Sequence, residues 1–132
     1  MTKMEEFKTG ATRSDAANRP DYSGYLSPLA HRLFGRYMLR HQVRADGKRR
    51  SSHNWKKGMP IARYVESLSR HYEDFIEAWD AITIYGAGEI PAYEQLEEAL
   101  GGLMFNVQGF AHELEKGEQP IGRSAEPEKK GA

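Results

Sequence analysis

Two short patterns on predicted helices combine residue types that bind metal ions or nucleotides. His71 and Asp74 are three positions apart, so on a helix both side chains can reach one metal ion or one water molecule. The alternative is a histidine at the edge of the core that the neighbouring carboxylate holds in place. On a later helix, Glu98 and Asn106 flank Gly102 along one stripe and are types suited to metal and nucleotide contact. Each pattern therefore permits either a binding role or a packing role.

Glycines occur in the same later helix at positions where they lower helix stability. Gly101, Gly102 and Gly109 each cost about 1 kcal/mol relative to alanine in a helix interior. Close packing of a neighbouring element would offset this cost, and so would open space kept for a ligand. The glycines therefore predict one of these two arrangements beside the helix.

A basic loop contains a second candidate contact surface. Asn54, Trp55, Lys56 and Lys57 follow one another in this loop. A tryptophan among cations can stack on a base while a lysine or an arginine binds phosphate. The alternative is that Trp55 simply packs the loop onto the core.

Charge is segregated along a chain whose net charge is +0. Residues 32–63 are basic with Asp46 as the only acid, and residues 66–98 are acidic with Arg70 as the only arginine or lysine. These runs are either solvated faces that pair across the fold or parts of one site that needs both signs. A site of the second kind would place carboxylates around a metal ion beside cations around phosphates.

Arginines recur at every fourth position of the first predicted helix, in the order Arg32, Arg36, Arg40 and Arg44. Such a stripe resembles a face that follows the phosphates of a nucleic acid. We nevertheless do not expect nucleic acid to be a partner, because the chain is neutral and its second half is strongly acidic.

Apolar periodicity predicts three amphipathic helices. Ser27 caps the first at Pro28, the second begins near Pro60, and the third covers about residues 91–116 before Gly117. The predicted fold class is all-α, with three main amphipathic helices in a small bundle and a long basic loop between the first two.

This helical domain is expected to span residues 25–117. It follows an extended N-terminal segment, residues 1–24, and precedes a disordered tail, residues 118–132, because both ends are polar. Met104 and Phe105 extend the apolar surface of the third helix beyond one packing face. We therefore predict a homo-oligomer, with a dimer favoured.

The composition excludes several classes of protein. The sequence contains no cysteine, which excludes a disulfide scaffold, a thiolate zinc site and a cysteine nucleophile. It has no pattern of a signal peptide, and no apolar run approaches the roughly 20 residues of a membrane span. We therefore expect a cytoplasmic protein without a membrane partner.

Short motifs distributed over residues 7–115 resemble one known family in their order and spacing. They include Ser-His-Asn-Trp-Lys-Lys-Gly at residues 52–58 and Phe-Asn-Val at residues 105–107. The remaining matched positions are residues 7–13, 20–29, 36–38, 41, 45–47, 64, 67, 70–71, 74, 96–100 and 112–113. Together they resemble the phage dATP/dGTP diphosphohydrolase family of the N-terminal-domain type, which is distantly similar to the MazG-like all-α NTP pyrophosphatases.

The resemblance implies hydrolysis of a deoxynucleoside triphosphate of the dGTP/dATP class to the monophosphate and pyrophosphate. It also implies a divalent metal, Mg²⁺ or Mn²⁺, held by helix-borne carboxylates, and a role in phage nucleotide metabolism in the host cytoplasm. MazG-like enzymes carry ExxE on one helix and ExxD on a following one. Here Leu100 or Gly101 stands where the second motif has its aspartate. We therefore expect a substituted set of His71, Asp74 and Glu98 to hold the metal and to act in catalysis.

The remaining candidate residues would bind the nucleotide. Arg70, Lys56 and Lys57 would neutralise phosphate charge, whereas Asn54, Trp55 and Asn106 would contact base or sugar. The missing aspartate keeps an alternative open, namely a non-catalytic nucleotide-binding or partner-binding module of the same fold.

Overall fold

Three long helices carry most of the residues described by the computed structural model, which are residues 3–14, 18–86 and 90–121. The elements are β1 (Met4–Glu6), β2 (Thr12–Ser14), α1 (Tyr22–Tyr25), α2 (Pro28–Arg40), α3 (Ile61–Thr83) and α4 (Ile90–Lys116). A short 3₁₀ helix, Asn54–Lys57, lies in the loop between α2 and α3. The prediction of a mostly helical chain is confirmed.

Helix boundaries follow the capping residues of the sequence. The Ser27 hydroxyl accepts a hydrogen bond from the Ala30 amide at 3.1 Å, and Pro28 opens α2. At the other end of the chain, Gly117 adopts a φ of +68° and its amide donates to the Glu113 carbonyl at 3.3 Å. The predicted starts of the three long helices and the predicted end of α4 are confirmed to within a residue or two. α2 ends at Arg40, so Arg44, which the arginine stripe assigns to the first predicted helix, lies in the loop instead.

Residues near the N-terminus form a hairpin that the sequence pattern does not predict. β1 and β2 pair antiparallel, with Met4 opposite Ser14 and Glu6 opposite Thr12. All of these residues are exposed, so no apolar face imposes an alternating pattern on the sequence. The predicted extended segment, residues 1–24, thus contains this hairpin and the first three residues of α1. The predicted tail lies outside the described residues from position 122 onward.

Close packing on α4 accounts for its glycines. Three rings lie directly against the α4 backbone: Tyr37 at Gly101, His71 at Gly102 and Tyr64 at Gly109. A Cβ atom at any of these glycines would overlap the facing ring. The packing interpretation of the α4 glycines is therefore confirmed, and the same contacts bring α2 and α3 to α4.

The loop between α2 and α3 folds back along the end of α2. The Arg44 amide donates to the Lys48 carbonyl at 2.7 Å across a turn in which Gly47 has a φ of +82°. The Arg50 amide then donates to the Gln42 carbonyl, also at 2.7 Å. This fold-back positions residues 50–58 beside α2 and α4.

The buried core of the described residues is small, with Tyr37, Ile61, Tyr64, Ala78 and Ala99 as its buried apolar members. No helix within the described ranges is long and apolar enough to cross a membrane.

Candidate functional site

A cleft of about 720 Å³ opens between α2 and the loop that follows it. We call it the α2–loop cleft. Its size falls within the roughly 300–1,000 Å³ that is typical of small-molecule sites. The apolar and aromatic lining consists of Phe34, Tyr37, Met38, Leu39, Trp55, Met59, Tyr64 and Phe105. The polar lining consists of His31, His41, Gln42, Arg50, Ser51, Ser52 and Asn54.

Asn54 and Trp55 are the two predicted site residues that the described structure places in the cleft lining. Both line the cleft, and the Trp55 ring packs edge-on against His112 of α4 with 4.9 Å between ring centroids. The predicted alternative, that Trp55 anchors the loop, also describes this contact. Trp55 therefore both anchors the loop and presents an aromatic surface to the cleft.

Glu98 is held by two residues at the end of α2. One carboxylate oxygen, Oε2, accepts hydrogen bonds from the Arg40 guanidinium at 2.8 and 3.1 Å. The other oxygen, Oε1, contacts Nε2 of His41. His41 contacts the carboxylate through Nε2, so its second ring nitrogen, Nδ1, is not engaged by Glu98. His41 also lines the cleft, so a histidine oriented by a carboxylate lies at its edge.

The contacts among Glu98, Arg40 and His41 also shift the pKa values of Glu98 and of the nearby Tyr37. Burial raises the pKa of Glu98, but hydrogen bonds from His41 and Arg40 and the charges of both residues outweigh it, so the pKa lies below its ordinary value. The pKa of Tyr37 is raised by burial and by the charge of Glu98, with Arg40 partly offsetting the increase. Glu98 is therefore an ionised partner of the two basic residues at neutral pH.

The predicted metal set does not come together within one chain. Both oxygens of Glu98 are occupied by Arg40 and His41. His71 is half-buried with its ring on Gly102, and Asp74 is exposed. Across the described residues, no group of three or more histidine, aspartate or glutamate side chains is arranged to hold a metal ion. These three residues thus do not fit the divalent ion that the resemblance implies, and no reaction step is assigned to it.

Asn106 lies in the core instead of in the cleft. It is 1% exposed, and its side-chain amide donates to the Ser67 hydroxyl at 3.1 Å and to the Gly102 carbonyl at 2.7 Å. Its carbonyl oxygen Oδ1 is buried and has no partner in the described residues. The contacts of Asn106 join α3 to α4, and its predicted contact with base or sugar remains a prediction.

Glu113 is a second buried polar residue of α4 that the sequence patterns do not mark as functional. It is 2% exposed and accepts a hydrogen bond from Gln119 at 3.0 Å. A Cβ at position 58 would lie 3.2 Å from Oε1 of Glu113, and Gly58 has a φ of +88°. Both facts favour glycine at position 58. Burial, followed by the charge of Glu113, raises the pKa of Tyr64.

The cations predicted to bind phosphate lie outside the cleft lining. Lys56 and Lys57 are exposed on the 3₁₀ helix, and Lys56 Nζ lies 5.8 Å from the centroid of the Trp55 ring. Arg70 is exposed on α3. Within the described part of the chain, Arg50 is the only arginine or lysine that lines the cleft.

Three of the four arginines in the predicted stripe are paired within the chain, two of them on α2 and Arg44 in the loop that follows it. Arg36 donates to Glu97 at 3.0 Å, Arg40 binds Glu98, and Arg44 lies 2.9 Å from Asp46. The basic and acidic runs therefore pair across the fold in part, as the simpler interpretation of the charge pattern predicts. The paired arginines are less able to bind nucleic-acid phosphates.

His41 and Arg50 are two charged or titratable cleft residues that sequence reasoning did not propose as functional. His41 belongs to the motif set of the resemblance, but its carboxylate partner is 57 positions away along the chain. Arg50 stands beside Arg49 in a basic run, and no local pattern tells which of them faces the cleft. Only the fold-back of the loop distinguishes the two arginines.

A second groove, of about 660 Å³, lies along α3. It is lined by Tyr72, Glu73, Ile76, Glu77, Asp80, Ala81 and Tyr85. Part of the acidic run thus lies beside exposed apolar side chains of α3 and apart from the α2–loop cleft.

No family model, curated protein or solved structure matches the chain.

Proposed function

We propose that the α2–loop cleft binds a deoxynucleoside triphosphate of the dGTP/dATP class and that the protein hydrolyses it to the monophosphate and pyrophosphate. One observation carries the proposal: several motifs that resemble the diphosphohydrolase family, although separated along the chain, meet in the cleft lining. Tyr37, His41 and Phe105 come from three separate motifs of the sequence and all line the cleft. Residues 52–58 supply four more lining positions, including Trp55.

The chemistry of the lining also supports a nucleotide. Aromatic side chains offer stacking surfaces for a base, and such stacking contributes about 1–3 kcal/mol for each base. The same cleft contains hydroxyl, amide and guanidinium donors that suit phosphate and sugar oxygens. A purely apolar ligand would leave these donors without partners.

His41 is the group best placed to accept a proton in the proposed hydrolysis. A water oxygen would form a bond to the α-phosphorus while the bridging bond to the leaving pyrophosphate breaks. Nδ1 of His41 would take the proton of that water, and Glu98 would orient the ring and stabilise its charged form. The reaction thus needs no proton acceptor beyond the cleft lining.

A non-catalytic nucleotide-binding module is the second candidate. The observation that favours it is the engagement of Glu98 by Arg40 and His41 together with the failure of His71, Asp74 and Glu98 to form one ligand set. Such a module would bind the nucleotide in the same cleft without turnover.

Binding is tested by tryptophan fluorescence. Trp55 and Trp79 are the two tryptophans of the sequence, and Trp79 does not line the cleft. In a Trp79→Phe variant the signal comes from Trp55 alone, and we expect dGTP or dATP to quench it in a saturable manner. In a Trp55→Phe variant the remaining signal should not respond. An equal response of both variants, or no response of either, would contradict the cleft as the nucleotide site.

Hydrolysis is tested by incubating the protein with each dNTP and either Mg²⁺ or Mn²⁺, because triphosphates carry such ions into protein sites. Chromatography should resolve the monophosphate and pyrophosphate. His41→Gln should lower the rate by about 10²- to 10⁴-fold, as the loss of a general base does. Saturable binding without products from any dNTP would select the non-catalytic module.

A homodimer is the assembly that we propose. Val65, Tyr72, Ile76 and Trp79 are between 37% and 55% exposed and fall on one face of α3 at helical spacing. An exposed apolar stripe of this kind is typical of an interface. Phe105, by contrast, packs on Tyr64 at 6.0 Å and is accounted for within the chain.

A further inference from the structure

The α2–loop cleft has two ends with different chemistry, and α4 sets the distance between them. At one end Tyr37 lies on Gly101, and at the other Trp55 packs on His112. These two positions of α4 are eleven residues apart, which corresponds to about 16 Å along a helix. Tyr37 and Trp55, which both line the cleft, therefore contact α4 at well-separated positions, and different parts of one ligand can lie beside them.

The Trp55 end is aromatic. The Trp55 ring lies 4.9 Å from the ring of His112, and Tyr64 lies 6.0 Å from Phe105. Trp55, Tyr64 and Phe105 all line the cleft. These rings offer faces and edges to a planar heterocycle.

The opposite end is cationic. The Arg50 amide donates to the Gln42 carbonyl at 2.7 Å, and its guanidinium Nη1 donates to the His41 carbonyl at 3.3 Å. These contacts fix Arg50 beside His41, at the end of the cleft where Glu98 also lies. A guanidinium has five N–H donors, so an Arg50 held by one of them keeps others for an anionic ligand.

Two hydroxyl groups accompany Arg50 in the cleft lining. Ser51 and Ser52 follow Arg50 in the chain and line the cleft with it. The Ser51 hydroxyl oxygen accepts a hydrogen bond from the His53 amide at 3.2 Å, which leaves its proton to donate. One guanidinium and two neighbouring hydroxyl donors form a set that suits phosphate oxygens.

We infer that Arg50, Ser51 and Ser52 form the phosphate subsite of the cleft and that the base of the same nucleotide lies against Trp55. This inference rests on the proposed function and gives the ligand an orientation. It places the phosphates beside His41 and transfers the phosphate role from Lys56, Lys57 and Arg70 to Arg50. Lys56 lies over the Trp55 ring and therefore belongs to the base end.

The test compares two adjacent arginines. Arg50→Gln removes the cation that lines the cleft, whereas Arg49→Gln removes an exposed neighbour outside the lining. Dissociation constants for dGTP and for deoxyguanosine are measured by calorimetry on the 132-residue chain. We expect Arg50→Gln to weaken dGTP binding by about 10- to 100-fold and to leave deoxyguanosine binding unchanged, since only the triphosphate loses a charge-assisted contact. Arg49→Gln should match the unsubstituted chain with both ligands.

Other outcomes would overturn the inference in distinguishable ways. If Arg50→Gln binds dGTP as tightly as the unsubstituted chain does, the subsite is wrong while the proposed function stands. The same conclusion follows if Lys56→Gln or Lys57→Gln weakens the binding of dGTP but not of deoxyguanosine, and Arg50→Gln does not. An equal loss for dGTP and deoxyguanosine in Arg50→Gln would indicate a structural role for this arginine. Failure of the unsubstituted chain to bind any nucleotide would remove the proposed function itself.

Discussion

Glu98 illustrates how a side chain with a predicted chemical role takes its character from its neighbours. As an isolated glutamate on α4 it is a suitable metal ligand. In the fold its two oxygens instead bind Arg40 and His41, which changes the expected role from holding a metal to orienting a histidine. The residues adjacent to Glu98 in sequence do not reveal this change, because both partners come from the end of α2.

The pH dependence of stability should report this contact. Because the folded-state pKa of Glu98 lies below the ordinary value of 4.5, its contribution to the free energy of unfolding is fully present above that value. The contribution disappears as the pH falls through the folded-state pKa. Glu98→Gln should thus lower stability at pH 7, by about 1 kcal/mol or less since the pair is partly exposed. Denaturant unfolding measured from pH 7 down to acidic pH should show that the difference in free energy of unfolding between Glu98→Gln and the unsubstituted chain becomes smaller as the pH falls.

Glu97→Gln provides the matched control for this experiment. Glu97 is the next residue, and its main partner is Arg36 at 3.0 Å. A surface pair of this kind contributes little to stability. We therefore expect Glu97→Gln to change the free energy of unfolding only slightly and without the pH dependence expected for Glu98→Gln. A Glu98→Gln difference that stays constant down to acidic pH would contradict the assigned contact.

At the scale of the elements, α4 is the helix on which the others are assembled. Three of its glycines receive rings from α2 and α3, and this close approach also forms one side of the cleft through Tyr37 and Tyr64. The sequence marks these glycines as unusual within a helix. Whether they face a ring or a ligand depends on which neighbouring element reaches them, and that is a property of the assembled helices.

Alanine substitutions separate packing from helix propensity. Gly109→Ala should raise helix propensity by about 1 kcal/mol but destabilise the protein by about 1–3 kcal/mol overall, because its Cβ would overlap the Tyr64 ring. Gly35→Ala in α2 is the control, since nothing lies within 4 Å of the position of its Cβ. We expect Gly35→Ala to stabilise by about 0.5–1 kcal/mol. Thermal unfolding of both variants measures the two changes, and a stabilising Gly109→Ala would contradict the packing described for α4.

At the scale of the whole molecule, the distribution of exposed apolar surface determines which face we expect to form an interface between two copies of the chain. The buried core is small, and apolar side chains of α3 remain exposed along one face. The prediction from sequence bases oligomerisation on Met104 and Phe105 of α4. The structure places Phe105 in the cleft, so the proposal of a dimer depends on α3 instead.

The oligomeric state is measured by light scattering coupled to size-exclusion chromatography. We expect twice the chain mass for the unsubstituted protein. Ile76→Lys should give the monomer mass, because a charge within the apolar stripe would be desolvated at the interface. Tyr22→Lys changes an exposed residue of α1 and should keep the dimer. A monomeric unsubstituted chain, or a dimeric Ile76→Lys variant, would contradict the α3 interface.

The sequence alone determines the three long helices, because caps and apolar periodicity are local properties. Ser27, Pro28 and Gly117 mark helix ends wherever the helices lie, and the structure confirms them. The sequence also identifies the loop that contains Asn54 and Trp55, both of which line the cleft. The N-terminal hairpin escapes prediction because its strands bury no apolar face.

Only the tertiary structure decides which side chains meet. His41 and Glu98 are 57 positions apart, and the choice of Arg50 over Arg49 depends on how the loop folds back onto α2. The predicted grouping of His71, Asp74 and Glu98 does not form among the described residues for the same reason. The His71 ring packs on Gly102, Glu98 binds Arg40 and His41, and Asp74 is exposed. Spacing along a helix fixes the face on which a residue lies, whereas helix packing fixes what that face contacts.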